Sequence, residues 1–317
     1  MNPLAIVERM QAASSSALRD QIVYEAFLAG HWEFFQLARR SLDPFITFGV
    51  SRVAALIEDD GLAGDLTTAE FLALADRLYH RQLTGDDARS AIVEAAQRCN
   101  FQVWNSLYRR VLLKTLPVDA RSYRRVLGKL ADYPHSDQCR VATLFWQVVQ
   151  PAQGKLIGRK FIDGLPEGDR VLAVLNKDST PMFCTDRQSI DRPDLDRLLE
   201  PLFQRLPVSV VFDGIVQDGR YAVFDVIDFA DYRRGESPTT LRERHRVLTT
   251  LQETGYLPKG MSVIPKVEVD CDQPDRETIL QAIKDRFRAD GMTTVVSKAV
   301  DAGYNGKRKT TWHRLAD

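Results

Sequence analysis

A change of hydrophobic period near residue 145 constrains this chain more than any other feature. From about Pro3 to Leu130, apolar residues return every three or four positions, as in Ile6-Met10, Phe71-Leu74-Leu78 and Val103-Leu107-Val111. That spacing puts side chains on one face of a helix. Past Trp146 the apolar residues gather instead in short runs, Val171–Leu175, Val208–Phe212, Tyr221–Ile227 and Val263–Val269, divided by turn signals such as Gln217-Asp218-Gly219. Such runs read as strands. The first half is therefore expected to hold roughly five to seven helices, one of them opening at Gly85-Asp86-Asp87, with acids at the positive end of its dipole. The second half is expected to be α+β, with mostly antiparallel strands. Its helices are expected over Asp194–Leu206, after Ser237-Pro238, and over Asp275–Ala289. The pattern divides the chain into domains over residues 1–135 and 145–317, with a linker between Asp132 and Gly158.

Each half is long enough to bury a core of its own. Lysine plus arginine and aspartate plus glutamate balance at 43 each in the 317 residues. No global field draws the chain to nucleic acid, so any such affinity must come from local clusters. Cys99, Cys139, Cys184 and Cys271 lie far apart, which suggests neither a disulfide framework nor a zinc site. His31, His80, His135, His245 and His313 show no paired ligand spacing, and no metal is assigned to them. The first ten residues contain Glu8 and Arg9 and do not read as a signal peptide, and no apolar run approaches a membrane span. A cytoplasmic location is expected.

The stretch Gly164-Leu165-Pro166-Glu167-Gly168-Asp169-Arg170, leading into Val171–Leu175, is the most specific motif. It resembles the Lys-x-Asp-Gly-x-Arg motif of ATP-dependent DNA ligases. Further stretches follow in the family's order: Phe183-Cys184-Thr185-Asp186-Arg187, Val210–Val216 with its Asp213-Gly214, Tyr221–Val226, Leu241–Arg244 with Leu248, Asp290–Lys298, and Tyr304–Arg314. In the helical half, Leu83-Thr84-Gly85 and Arg109–Leu116 are similar to the DNA-binding domain of phage-type ligases. The resemblance covers most of the chain. It implies an all-helical DNA-binding-like domain followed by a ligase-like nucleotidyltransferase (adenylation) domain; the C-terminal oligonucleotide-binding (OB) domain that the family uses to close around DNA is expected to be absent.

The departures fall where the family's chemistry is done. Leu165 stands at the position of the lysine whose amine attacks the α-phosphate of ATP, and leucine offers no lone pair. Glu167 replaces aspartate. Ile215 replaces the glutamate of Asp-Gly-Glu, and Thr293-Thr294 replaces Glu-Gly, so the carboxylates that would hold ribose or metal are missing. Arg314 and Ala316 occupy the two final lysine positions. Thr115–Asp119 stands where the family has a phosphate-approaching turn, and Asp119 there would repel phosphate. Glu167, Arg170, Arg187, Phe224, Lys298 and Arg314 remain as the nucleotide-binding remnant, with the Phe224 face expected to be open to a base.

Lys160, in Lys160-Phe161-Ile162-Asp163-Gly164, is the fallback nucleophile and Lys155 the second, although a solvent-facing lysine is the simpler reading of each. Residues 98–129 are basic; Arg109, Arg110, Lys114, Arg121, Arg124 and Arg125 form a candidate phosphate-backbone footprint on duplex DNA. Arg98 and Lys129 belong to the same cluster, and a solvated helix face is the alternative. Lys307-Arg308-Lys309 reads as a hairpin tip. Asp213 and Asp225 read as turn or capping residues rather than metal ligands, and Trp104, Trp146 and Trp312 as core or interface residues. The expectation is a degenerate ligase, unable to form the lysyl-adenylate or seal nicks, needing no cofactor and retaining at most weak nucleotide or nicked-duplex binding as a monomer. Two alternatives stay open: an active ligase using ATP and Mg²⁺ through Lys160 or Lys155, and a protein-interaction module that uses the ligase fold only as architecture.

Overall fold

In the computed structural model of the chain, the described residues are 2–59, 61, 63–152, 154, 156–185, 188–306 and 311–315. They divide into two compact units, Met1–Ala142 and Thr143–Asp317. No described helix is long and apolar enough to cross a membrane.

The first unit is helical among its described residues. Helices α1 (Pro3–Ala12), α2 (Ser16–Leu28) and α3 (Trp32–Leu42) precede a long irregular segment. Then come α4 (Thr68–Tyr79), α5 (Gly85–Gln97), α6 (Phe101–Val103), a π-helical turn over Trp104–Tyr108, α7 (Arg109–Leu112), α8 (Ala120–Lys129) and α9 (Ser136–Cys139). The segmentation exceeds the expected helix number because α6 and α7 are two ends of one helix interrupted by the π turn and α9 is a single four-residue turn. Phe34, Phe35, Phe71, Trp104 and Tyr123 are completely buried or nearly so and anchor the core. Caps set the boundaries: Thr67 and Glu70 form a reciprocal capping box on α4, and Asp119 accepts from the Arg121 and Ser122 amides to start α8.

The second unit is mixed α/β. A five-stranded sheet has the order β1 (Val149–Pro151), β13 (Trp312–Arg314), β11 (Thr294–Ala299), β2 (Arg159–Leu165), β10 (Lys266–Asp270). A six-stranded sheet has the order β5 (Ser189–Ile190), β4 (Met182–Cys184), β3 (Asp169–Leu175), β6 (Val210–Gln217), β7 (Arg220–Asp228), β9 (Met261–Val263). A small third pairing joins β8 (Glu236–Ser237) to β12 (Tyr304–Asn305). Pairing is antiparallel except between β1 and β13 and between β7 and β9. The helices are α10 (Pro193–Arg205), α11 (Phe229–Arg234), α12 (Leu241–Glu253) and α13 (Arg276–Ala289).

Strand alternation decides which residues meet between the two sheets. In the six-stranded sheet, Val171, Ala173, Leu175, Phe212, Val216, Tyr221 and Val223 pack into one apolar core with Leu195, Leu199 and Leu202 of α10. Arg170, Asp213 and Ile215 alternate with them and face the other way. In the five-stranded sheet, Ile162, Val269 and Val295 pack with Ile283 and Phe287 of α13. Asp163, Leu165, Thr294, Val296 and Lys298 take the opposite face. A bulge then alters the pattern: Asp213 pairs with Asp225 but Gly214 pairs with Val223, leaving Phe224 as the extra residue. Phe224 and Asp225 therefore both lie on the face away from the Val223 and Val226 core, which plain alternation would forbid.

Candidate functional site

The faces left over by that alternation enclose a cavity of about 430 Å³. Leu165, Thr294, Val296, Trp312 and Arg314 line it from one sheet, and Arg170, Ile215 and Phe224 from the other, with Trp146, Glu167 and Thr293 beside them. Thus Leu165, Glu167, Arg170, Ile215, Phe224, Thr293 and Arg314, singled out from sequence, do converge. Lys298 lies just behind the wall. Arg187 and Lys155 lie outside the described residues, as do Lys307, Arg308, Lys309 and Ala316. Gly168 holds the β2–β3 connection close to β6: a Cβ there would sit 2.4 Å from the Val216 carbonyl oxygen, and its φ of +145° is one that side chains rarely adopt.

The cations of the cavity have partners inside the protein. Arg170 donates from Nε to Asp213 Oδ1 at 2.9 Å, from Nη2 to Asp213 Oδ2 at 2.6 Å and from Nη1 to the Gln147 carbonyl at 2.9 Å. Tyr304 donates to the same Asp213 carboxylate at 2.7 Å. Burial opposes the Arg170 charge, but the Asp213 carboxylate more than offsets this and holds the guanidinium above its usual pKa. Arg170 also lies 4.7 Å over Trp146, 5.2 Å over Phe224 and 5.4 Å over Trp312.

Lys298 is fully buried and shares Asp163 with Lys266, each ammonium 2.6 Å from Asp163 Oδ2. Burial lowers Lys298 to about 8, with Lys266 adding repulsion and Asp163 working the other way. Burial alone would raise Asp163, but the two lysines hold it below the usual carboxylate range. Deeper still, Arg244 of α12 pairs with Asp225 through two bonds of 2.7 and 2.9 Å.

Several expectations are corrected by this geometry. Phe224 offers no open face to a base: it is 1% exposed, with Lys298 Nζ 4.2 Å and the Arg170 guanidinium 5.2 Å over its ring. Asp213 and Asp225 are neither turn nor cap residues but buried counter-ions of Arg170 and Arg244. Lys160 does not stand in for Leu165. An odd number of positions separates them on the regular strand β2, so Lys160 takes the face of Ile162, away from the cavity. Trp104 and Trp312 are buried as expected, while Trp146 is half-buried and forms cavity wall.

The residues that sequence reasoning missed are Asp163, Lys266, Gln147 and Tyr304. Only Asp163 carried a signal, two positions before Leu165 and so on the same strand face.

For a bound nucleoside triphosphate with a divalent cation, the residues present do not fit. Ile215 and Thr293-Thr294 give the metal no carboxylate and leave Glu167 as the one acid among the described residues of the wall; Arg170 is neutralised by Asp213, and Lys298 shares a single carboxylate with Lys266.

The helical unit's proposed DNA contacts are likewise mostly engaged. The Lys114 ammonium is bound by three carbonyls, those of Arg40, Asp43 and Ile46, at 2.6–2.8 Å. Burial lowers it to about 8. It closes the C-terminal end of α3 and is removed from the footprint. Arg125 is paired with Asp20 by two bonds of 2.6 Å, and Arg98 with Asp65 and Glu70. Arg124 reaches the Ala142 carbonyl and Arg109 the Val53 carbonyl. Arg110 is half-buried and Arg121 exposed. Asp119, expected to repel phosphate, is spent as the α8 cap.

No family model matches the chain, and no curated protein matches it. Among solved structures, "Pmar-Lig_Pre." aligns over 100% of this chain and 78% of its own at 22% identity, with a TM-score of 0.57. "Pmar-Lig_PreS3" aligns over the same shares at 21% identity and a TM-score of 0.56. The ligase domain of M. tuberculosis LigD aligns over 53% of this chain and 58% of its own, at 18% identity and a TM-score of 0.39. At these identities the first two likenesses show a ligase-like fold and nothing finer.

Proposed function

We propose that the chain is a degenerate ATP-dependent DNA ligase-like protein that forms no lysyl-adenylate and seals no nicks. One observation carries this reading. The cavity has Leu165 at the nucleophile position, while Arg170 and Lys298 are held by Asp213 and Asp163. Arg170, held by its own buried carboxylate, gives little net attraction to phosphate, because binding must first separate a desolvated pair, and Lys298 is fully buried behind the wall on a carboxylate it shares with Lys266. The placement of Lys160 on the opposite face of β2 removes the support for an active enzyme through that residue.

Residual duplex binding belongs to this proposal in a reduced form. With Lys114 internal and Arg109 and Arg124 bonded to backbone carbonyls, fewer cations than the expected six are left to displace counter-ions, and Arg98 and Arg125 must first give up exposed acid partners. Affinity for a nicked duplex should be weak, and its logarithm should fall with log salt at a slope of about −2 or shallower.

The test is a 5′-phosphate-labelled nicked duplex incubated with the protein, ATP and Mg²⁺, with binding followed across a salt series. The reading expects no sealed product and a shallow slope. Sealing at turnover rates would overturn the catalytic half, and a steep slope would restore the six-residue footprint.

A further inference from the structure

The helical unit carries a second cavity, of about 500 Å³, which shares only Arg109 and Leu113 with the stretches that resemble ligases. Its floor is apolar, made by Val53 and Ile92 with Leu113, and Val93 opens onto it 49% exposed. Three arginines stand around it: Arg52 and Arg89, both exposed, and Arg109. The acid seen to pair there is Asp86, bonded to Arg89 at 2.9 Å with both side chains largely in solvent. Such an exposed pair is worth little and exchanges readily. The groove thus calls for an apolar side chain flanked by acids.

The same chain presents that chemistry a few residues further on. Ile57 is 92% exposed and is followed by the exposed acids Glu58 and Asp59. Four hydrogen bonds hold this segment extended. Arg109 Nε donates to the Val53 carbonyl at 2.9 Å and Trp104 Nε1 to the Ala54 carbonyl at 3.0 Å. Asn105 accepts from the Leu56 amide at 3.1 Å and donates to the Leu56 carbonyl at 3.0 Å. Pinned on both backbone groups of Leu56, Ile57 cannot fold back into the groove beside it. An extended chain places it about 13 Å from Val53.

We infer that the chain self-associates as a two-fold dimer in which Ile57, Glu58 and Asp59 of each copy enter the arginine-rimmed groove of the other. Groove rim and plug belong to one continuous stretch, residues 50–59, so a two-fold axis beside that stretch can satisfy both at once, as an isologous interface requires. The apolar floor favours this occupant over a phosphate backbone, which would use the arginines and leave Val93 and Ile57 in water.

The test is sedimentation velocity of the full chain over a concentration series, at low and high salt. The wild type should pass from monomer to dimer, and salt should weaken the dimer. Ile57→Asp alters a side chain that is almost wholly exposed, so the fold should survive, and the dissociation constant should rise at least about tenfold. The charge-reversed variants Arg89→Glu and Glu58→Arg should each be monomeric alone. Mixed together, they should associate again, because each groove then meets a segment of opposite sign. A wild type monomeric at every concentration would overturn the inference. So would a dimer that Ile57→Asp leaves intact, a mixture that stays monomeric, or an Arg89-dependent affinity for duplex DNA in a monomeric protein.

Discussion

Leucine at position 165 and lysine at position 114 teach opposite lessons about single residues. Leu165 is legible in the sequence because Gly168 and Arg170 fix the register, and the strand faces then place it in the cavity wall. Lys114 is not legible, since nothing local announces that three carbonyls from the end of α3 and beyond will converge on its ammonium. Lys114→Met should therefore cost about 2 kcal/mol of stability, by stranding those carbonyls, while changing duplex affinity hardly at all. Urea unfolding and a binding titration read the two effects separately; lost affinity at unchanged stability would return Lys114 to the footprint. Asp213→Asn leaves Arg170 buried beside a neutral partner and should cost about 3–5 kcal/mol, read by the same unfolding assay. A near-neutral effect would mean that Arg170 is free enough to serve a ligand.

Elements were easier to read than the contacts between them. The segments expected at Asp194–Leu206 and Asp275–Ala289 correspond to α10 and α13 within about a residue at each end. Pro193 opens α10 and Gly291, at a φ of +78°, follows α13; both are local features of the kind a sequence displays. The bulge at Phe224 and the π turn over Trp104–Tyr108 depend on tertiary packing and leave no mark in the apolar spacing. The Phe224 expectation failed for that reason: the residue is on the anticipated face, but its ring is covered by cations from β3 and β11. Asp119 shows the same limit, since its role is set by the α8 amides behind it. Asp119→Ala should lower stability by about 1 kcal/mol through loss of the cap, with no gain in duplex affinity. Tighter DNA binding by this variant would show that its charge does face phosphate.

At the scale of the whole molecule, a half-buried histidine couples folding to pH. Burial, with repulsion from Lys266, lowers His245 to about 4 from its ordinary 6.5, and its Nδ1 is buried without a partner. As pH falls below 6.5 the unfolded chain takes up a proton that the folded state refuses until about 4. Stability should therefore drop across that window. Allowing for solvent at the half-buried ring, the His245 share at pH 5 is about 1 kcal/mol. His245→Gln should remove that share, so the wild type should lose more than the variant between pH 7 and pH 5 in parallel urea titrations. Equal losses would mean that His245 is protonated in the fold. The balance of 43 acidic and 43 basic residues hides this behaviour in the sequence, because it arises from placement and not from composition.

The central claim, that a ligase-like fold here holds a cavity unable to accept AMP covalently, is tested most directly by intact mass. The folded wild type and Leu165→Lys would each be incubated with ATP and Mg²⁺, with peptide mapping of any adduct. The account predicts no added AMP on the wild type. It predicts none on Leu165→Lys either, because Ile215 and Thr293 still supply no carboxylate for the metal and Asp163 and Asp213 still hold the cations. An AMP adduct on any wild-type lysine would contradict the account outright. An adduct confined to Lys in Leu165→Lys would show that the nucleophile alone was missing.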